Sequence, residues 1–279
     1  MDRLQQAIQK AREERQSRQR TVPAEPLRLD PDQAVTPSAT NVETLWTDPP
    51  AIEINPRVAS RNRLVSLEGG SDAAPYDMLR TKMLQQILSN GWRRVALTSP
   101  YAGCGKSTAV ANLAFSLGRQ EDLRTVVIDF DLRRRGLADV LGQSGAHNMA
   151  DVISGSVPFQ DHARRHGNNV IFGLNFSPTR NPAEILQSRR TIEMLEWIES
   201  EYQPDIMLFD TPPLMVSDDS HGFLRNVDCA LLLAAAEETS IDHIDVAERQ
   251  LAELTKIMGI VLTKCRYVSG AFGNEYGSY

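Results

Sequence analysis

The stretch that most constrains this chain is Val95–Thr108, which reads Val-Ala-Leu-Thr-Ser-Pro-Tyr-Ala-Gly-Cys-Gly-Lys-Ser-Thr. A short apolar run, predicted as a strand over Arg94–Ser99, meets a glycine-punctuated turn. Lys106 then opens a helix predicted over Lys106–Leu117. The glycines let successive backbone N–H groups turn inward, and the positive end of the following helix points the same way, so phosphate oxygens are held from two sources at once. Ala102, Gly103, Cys104, Gly105, Lys106, Ser107 and Thr108 are therefore the candidate nucleotide contacts. Lys106 reaches toward the β- and γ-phosphates, Ser107 offers its hydroxyl to Mg²⁺ and Thr108 touches the α-phosphate. The usual spacing, G-x-x-x-x-G-K-[ST], puts glycine where this chain has Pro100.

Two further runs end in acids. Val126-Val-Ile-Asp-Phe-Asp-Leu-Arg133 closes a predicted strand, Thr125–Asp131, with Asp129 and Asp131 on alternate positions. Alternate strand residues face one side, so both lean into one crevice. Ile206-Met-Leu-Phe-Asp210 is a second apolar strand ending in an acid, followed by Thr-Pro-Pro213. Buried like charges are costly unless a cation joins them. Ser107, Asp129, Asp131 and Asp210 are thus the candidate Mg²⁺ ligands, and Lys106, Asp129 and Asp131 the candidate catalytic residues.

The remaining pattern sets the fold class. Val170–Phe176, Cys229–Ala235 and Gly259–Thr263 read as further strands, with helices over Pro75–Ser89, Thr191–Tyr202 and Ser240–Met258. Short continuous apolar strands alternating with helices give an α/β fold, a mostly parallel central sheet covered on both faces. Residues 2–19 read as a charged helix with a thin stripe of Leu4, Ala7, Ile8 and Ala11. Residues 20–60, punctuated by seven prolines from Pro23 to Pro56, read as a flexible tether. The expected organisation is an N-terminal helix and tether over 1–72, a nucleotide-binding domain over 73–265 and a tyrosine-containing tail over 266–279.

Composition excludes several classes. With Lys+Arg 30 against Asp+Glu 36, the chain lacks the basic excess of a nucleic-acid binder. Cys104, Cys229 and Cys265 are far apart and form no CxxC, which fits a reducing cytoplasm and neither a disulfide framework nor a zinc site. The longest strongly apolar run, Cys229–Ala236, is far short of the ~20 residues of a membrane span.

Together, Gly103-Cys-Gly-Lys-Ser-Thr108, Val127-Ile-Asp-Phe-Asp-Leu-Arg-Arg134 and Phe209-Asp-Thr-Pro-Pro213 resemble the bacterial tyrosine kinases of polysaccharide export, P-loop NTPases unrelated to eukaryotic kinases. Asn148–Gly155, Asn181–Leu186 and Val216–Asp218 are similar to further family segments, and the resemblance spans about residues 74–264. The N-terminal helix is similar to the start of stand-alone cytoplasmic members. The resemblance implies ATP and Mg²⁺ as cofactors and transfer of the γ-phosphoryl group to tail tyrosines, here Tyr267, Tyr276 and Tyr279, with Asp129 or Asp131 orienting or deprotonating the acceptor. It implies other copies of the chain and a transmembrane chain-length regulator as partners, at the inner face of the plasma membrane. The family's E-x-x-R-x-x-R assembly helix is reduced here to Arg80, with Ala74 and Asp77 at the other two positions. That erosion leaves a second reading open, an ATP-binding switch or scaffold of the same pathway. An ATPase of the partition and septum-placement type is a third, set back by Pro100-Tyr-Ala where those proteins carry a lysine.

Overall fold

The computed structural model describes residues 39–216 and 218–265. Seven strands form one sheet: β1 (Arg94–Thr98), β2 (Thr125–Asp129), β3 (Arg164–His166), β4 (Val170–Gly173), β5 (Ile206–Asp210), β6 (Cys229–Ala235) and β7 (Lys256–Thr263). Their spatial order is β3-β4-β2-β5-β1-β6-β7. Every neighbouring pair is parallel except β3 with β4.

The two faces follow from strand periodicity. Val126, Ile128, Met207, Phe209 and Leu232 point to one face, beneath helices Arg189–Tyr202 and Ile241–Ala252. Val127, Leu208, Leu231 and Leu233 point to the other, beneath helices Ala74–Asn90 and Lys106–Gly118. The central strands β2, β5 and β6 are buried along their whole length, which is why they read as unbroken apolar runs.

The tether expectation needs correction over its C-terminal part. Ala39–Thr47 is a helix, Ala51 bridges Arg165 beside β3, and Pro56–Arg61 is a short helix started by Asn55, whose side chain accepts from Arg57 N–H. Trp46 anchors this segment. Its side chain is 1% exposed, its Nε1 donates to the Tyr202 carbonyl at 2.9 Å, and its ring meets Tyr202 edge-on. Trp46, with Val42 and Ile52, supplies buried apolar area that the proline-rich composition hides. Residues 1–38, including the N-terminal helix, lie outside the described residues.

Boundaries shift elsewhere. The helix expected over Ser240–Met258 stops at Ala252, and β7 begins at Lys256. A register shift in the β6–β7 pairing falls at Ala230/Leu231 and passes over Met258. β2 closes at Asp129, so Asp131 lies just past the strand. β3 escapes the sequence pattern altogether, because Arg-Arg-His carries no apolar alternation.

Candidate functional site

The site lies at the carboxyl ends of β1, β5 and β2. In the parallel register Asp210 is level with Leu97 on one side and with Asp129 on the other. The chain leaves β1, skips the position of β5 and returns as β2, which opens a crevice at these strand ends.

The phosphate loop bridges β1 and the Lys106–Gly118 helix. Gly103 (φ 86°) and Gly105 (φ 78°) hold left-handed conformations that favour glycine. From behind, the Thr263 hydroxyl donates to the Cys104 carbonyl at 2.8 Å, so the end of β7 fixes the loop. Cys104 is buried, its Sγ 3.7 Å from the Thr239 hydroxyl. Within the loop, the Ser99 hydroxyl donates to the Tyr101 carbonyl at 2.6 Å and accepts from Lys106 Nζ at 3.1 Å. Lys106 is buried at the head of its helix, a cation parked on a neutral serine. Tyr101 stands exposed at the mouth, its ring edge-on to His243.

Asp131 and Asp210 feel the charge of that lysine, and Asp129 lies beside both acids. Asp129 and Asp210 are fully buried and Asp131 is 8% exposed. Asp129 Oδ1 accepts from Asp131 N–H at 3.1 Å, while Asp129 Oδ2 and both oxygens of Asp210 have no hydrogen-bond partner. Burial pushes Asp210 up to about 6, opposed by the Lys106 ammonium and by the nearby Ser107 hydroxyl, which favours the charged form without meeting full hydrogen-bond geometry. Burial likewise holds Asp129 well above the usual carboxylate range, reinforced by Asp210 and Asp131. Asp131 is raised by burial and pulled back by Lys106 and Arg134.

Orphaned buried carboxylate oxygens of this kind fit a cation, since the alternative is an unpaired polar group in a dry site. Among the described residues, no three His, Cys, Asp or Glu side chains are placed to share one metal ion. Unpartnered oxygens on Asp210 and Asp129 suit Mg²⁺, which takes one or two carboxylates and completes its shell with phosphate and water.

Two contributors escape the sequence pattern. Gly136 sits beside the loop, where an added Cβ would lie 2.8 Å from Ser107 Oγ and 3.9 Å from Asp210 Oδ2, so only glycine leaves the hydroxyl room. Asp219 is fully buried and takes a bidentate ion pair from Arg133, at 2.5 and 2.9 Å. It ties the loop after β2 to the segment after β5, whereas its sequence-matched neighbour Asp218 is exposed. Both contacts join residues distant in the chain, and no local spacing signals them.

The structure brings Lys106, Ser107, Asp129, Asp131 and Asp210 to one crevice. The tail tyrosines Tyr267, Tyr276 and Tyr279 lie outside the described residues. Arg80 turns inward: its guanidinium donates to the Ser116 carbonyl at 2.8 Å and hydroxyl at 3.1 Å. Asp77 accepts from the same hydroxyl at 2.5 Å and from the Arg119 guanidinium.

A phosphate loop, a buried lysine and unpartnered acids at the edge of a parallel sheet define a nucleotide-binding domain. Residues 95–271 match the CobQ/CobB/MinD/ParA nucleotide binding domain, and the chain belongs to that family. Among its relatives is AmsA of Erwinia amylovora, 25% identical over 232 residues that cover 81% of this chain and 31% of AmsA. The chain thus spans about a third of the length of that relative. The tyrosine-protein kinase CpsD of Streptococcus pneumoniae serotype 4 is 27% identical over 193 residues, covering 68% of this chain and 82% of CpsD. The kinase domain of Escherichia coli tyrosine kinase ETK superposes with a TM-score of 0.67 at 22% identity, covering 76% of this chain and 84% of that domain, which shows a shared fold.

Proposed function

We propose that this chain is an ATP-dependent protein-tyrosine kinase of the bacterial P-loop type, acting on tyrosines of its own tail and of other copies. The observation that carries the reading is the buried acid cluster Asp129, Asp131 and Asp210, two of whose members feel Lys106, with Arg133 completing the D-x-D-x-R run. Relatives such as CpsD, which are named tyrosine-protein kinases, support it.

The roles follow from position. Ala102–Thr108 cradle the triphosphate. Lys106 leaves Ser99 for the β- and γ-phosphates, and Ser107 and Asp210 hold Mg²⁺. Bound Mg²⁺·ATP supplies the phosphoryl group and offsets the acids' mutual repulsion. Asp129 is sealed in beside Asp210 and balances the ion. Asp131, just past the strand and partly open, receives the tyrosine hydroxyl and accepts its proton. Among the described residues no helix is long and apolar enough to cross a membrane. We place its work in exopolysaccharide polymerisation or export at the inner face of the plasma membrane, with a transmembrane chain-length regulator as partner. Mapping phosphotyrosine on the protein made in its own cell tests the reading. Occupied Tyr267, Tyr276 or Tyr279, lost in Lys106→Met, is expected; unmodified tyrosines in the presence of the membrane partner overturn it.

One observation favours a second reading. Asp77 and Arg80, at the positions of the family's assembly helix, are engaged within the chain by Ser116 and Arg119. A nucleotide-operated switch or scaffold without kinase activity fits that arrangement. Its signature is ATP-dependent partner binding that persists when Tyr267, Tyr276 and Tyr279 are all changed to Phe.

A further inference from the structure

Four arginines gather at the corner beside Asp131. Arg133, Arg134 and Arg135 follow β2, and the Thr179 N–H donates to the Leu132 carbonyl at 2.8 Å, which brings the backbone that carries Arg180 next to theirs. Two of the four are committed. Arg133 is spent on buried Asp219, with Asp218 and Asp131 also in its field, and Arg135 pairs with Asp139 at 3.2 Å. Arg134 and Arg180 are exposed and have no carboxylate within ion-pair distance among the described residues. Arg134 is held at the site by the turn in which its N–H donates to the Asp131 carbonyl, and its charge is felt by Asp131. Arg180 precedes Asn181, whose φ of 53° bends the chain sharply into the Pro182–Leu186 helix and fixes the arginine's place.

Exposed, uncommitted guanidinium groups next to a catalytic carboxylate repel cations and attract anions. An acceptor hydroxyl that gives its proton to Asp131 must come within reach of Arg134, whose charge Asp131 feels. The tail's sequence supplies one acid beside a tyrosine. Glu275 is the only acid in residues 266–279, and it immediately precedes Tyr276.

We propose that Arg134 and Arg180 form an acceptor subsite for an acidic residue beside the accepting tyrosine. The subsite selects Tyr276 over Tyr267 and Tyr279. This inference rests on the kinase reading for the identity of the ligand, while the anion subsite itself has a readout of its own. Recognition uses solvent-exposed charges, so its size is modest and sensitive to salt.

The test uses the full chain with Mg²⁺ and a non-hydrolysable ATP analogue. The probes are two fluorescently labelled peptides, residues 270–279 and the same peptide with Glu275→Gln, followed by anisotropy. The parent peptide is expected to bind about fivefold tighter, as one to two exposed charge pairs allow. In the Arg134→Gln/Arg180→Gln variant the difference falls within twofold while affinity for the analogue is unchanged. An Arg180→Glu variant paired with a Glu275→Lys peptide recovers part of the binding, which a merely structural role for Arg180 does not produce. Equal binding of both peptides by the wild-type chain overturns the proposal. So does a variant that loses the ATP analogue yet keeps the peptide preference, since the arginines then serve the nucleotide. Charge-dependent peptide binding without phosphate transfer to Tyr276 from ATP leaves the subsite standing and overturns the kinase reading instead.

Discussion

Asp210 is the residue on which the proposed Mg²⁺·ATP site is most sharply tested. It is fully buried with both oxygens unpartnered, and burial raises it to about 6. A carboxyl raised in the folded state contributes its stability at low pH and loses it as pH rises through the folded value. At pH 7.5 the nucleotide-free protein therefore carries a buried charge that Asp210→Asn removes. That variant should unfold at higher urea by on the order of 1–3 kcal/mol at pH 7.5, with the gain fading below about pH 5. The same variant should lose the Mg²⁺ dependence of nucleotide affinity, read by titration with and without chelator. In the wild type, Mg²⁺-dependent affinity should fall as pH drops through about 6, because the ligand must give up its proton to bind the ion. A flat profile from pH 5 to 8 would remove Asp210 from the metal site. Gly136→Ala probes the same place from the other side. Its Cβ would press on Ser107 Oγ, so Mg²⁺-dependent nucleotide affinity should drop at least tenfold with little change in the unfolding midpoint. The acids and the lysine of this site were legible in the sequence because each ends or opens an element. Gly136 and Asp219 were not, because their contacts cross the sheet edge between segments far apart in the chain.

At the scale of elements, legibility tracked burial on both faces. β5 and β6 match their expected bounds, since unbroken apolar runs have no other home. The edge behaves differently. β3 is polar and antiparallel, and β7 alternates between covered and exposed residues, with Ile260 and Leu262 half open to solvent. The Ala39–Thr47 segment reads as tether by composition and is held by side chains that composition averages away. Trp46→Ala removes a buried indole and its hydrogen bond to Tyr202, and should cost about 3–5 kcal/mol in urea unfolding. A loss under 1 kcal/mol would return this segment to a loose linker.

For the whole molecule, the sheet and its phosphate loop establish a nucleotide-binding protein of the CobQ/CobB/MinD/ParA family, a scaffold that hosts several chemistries. The proposed phosphoryl transfer rests on Asp129 and Asp131 beside Asp210, and on the three tyrosines among residues 266–279. The most direct measurement incubates the purified full chain with γ-labelled ATP and Mg²⁺, with and without membranes from its own cell, and follows label on tyrosine beside free phosphate. The account requires label on tail tyrosines that disappears in Lys106→Met and in Asp210→Asn. Release of labelled phosphate with no phosphotyrosine under either condition would contradict it.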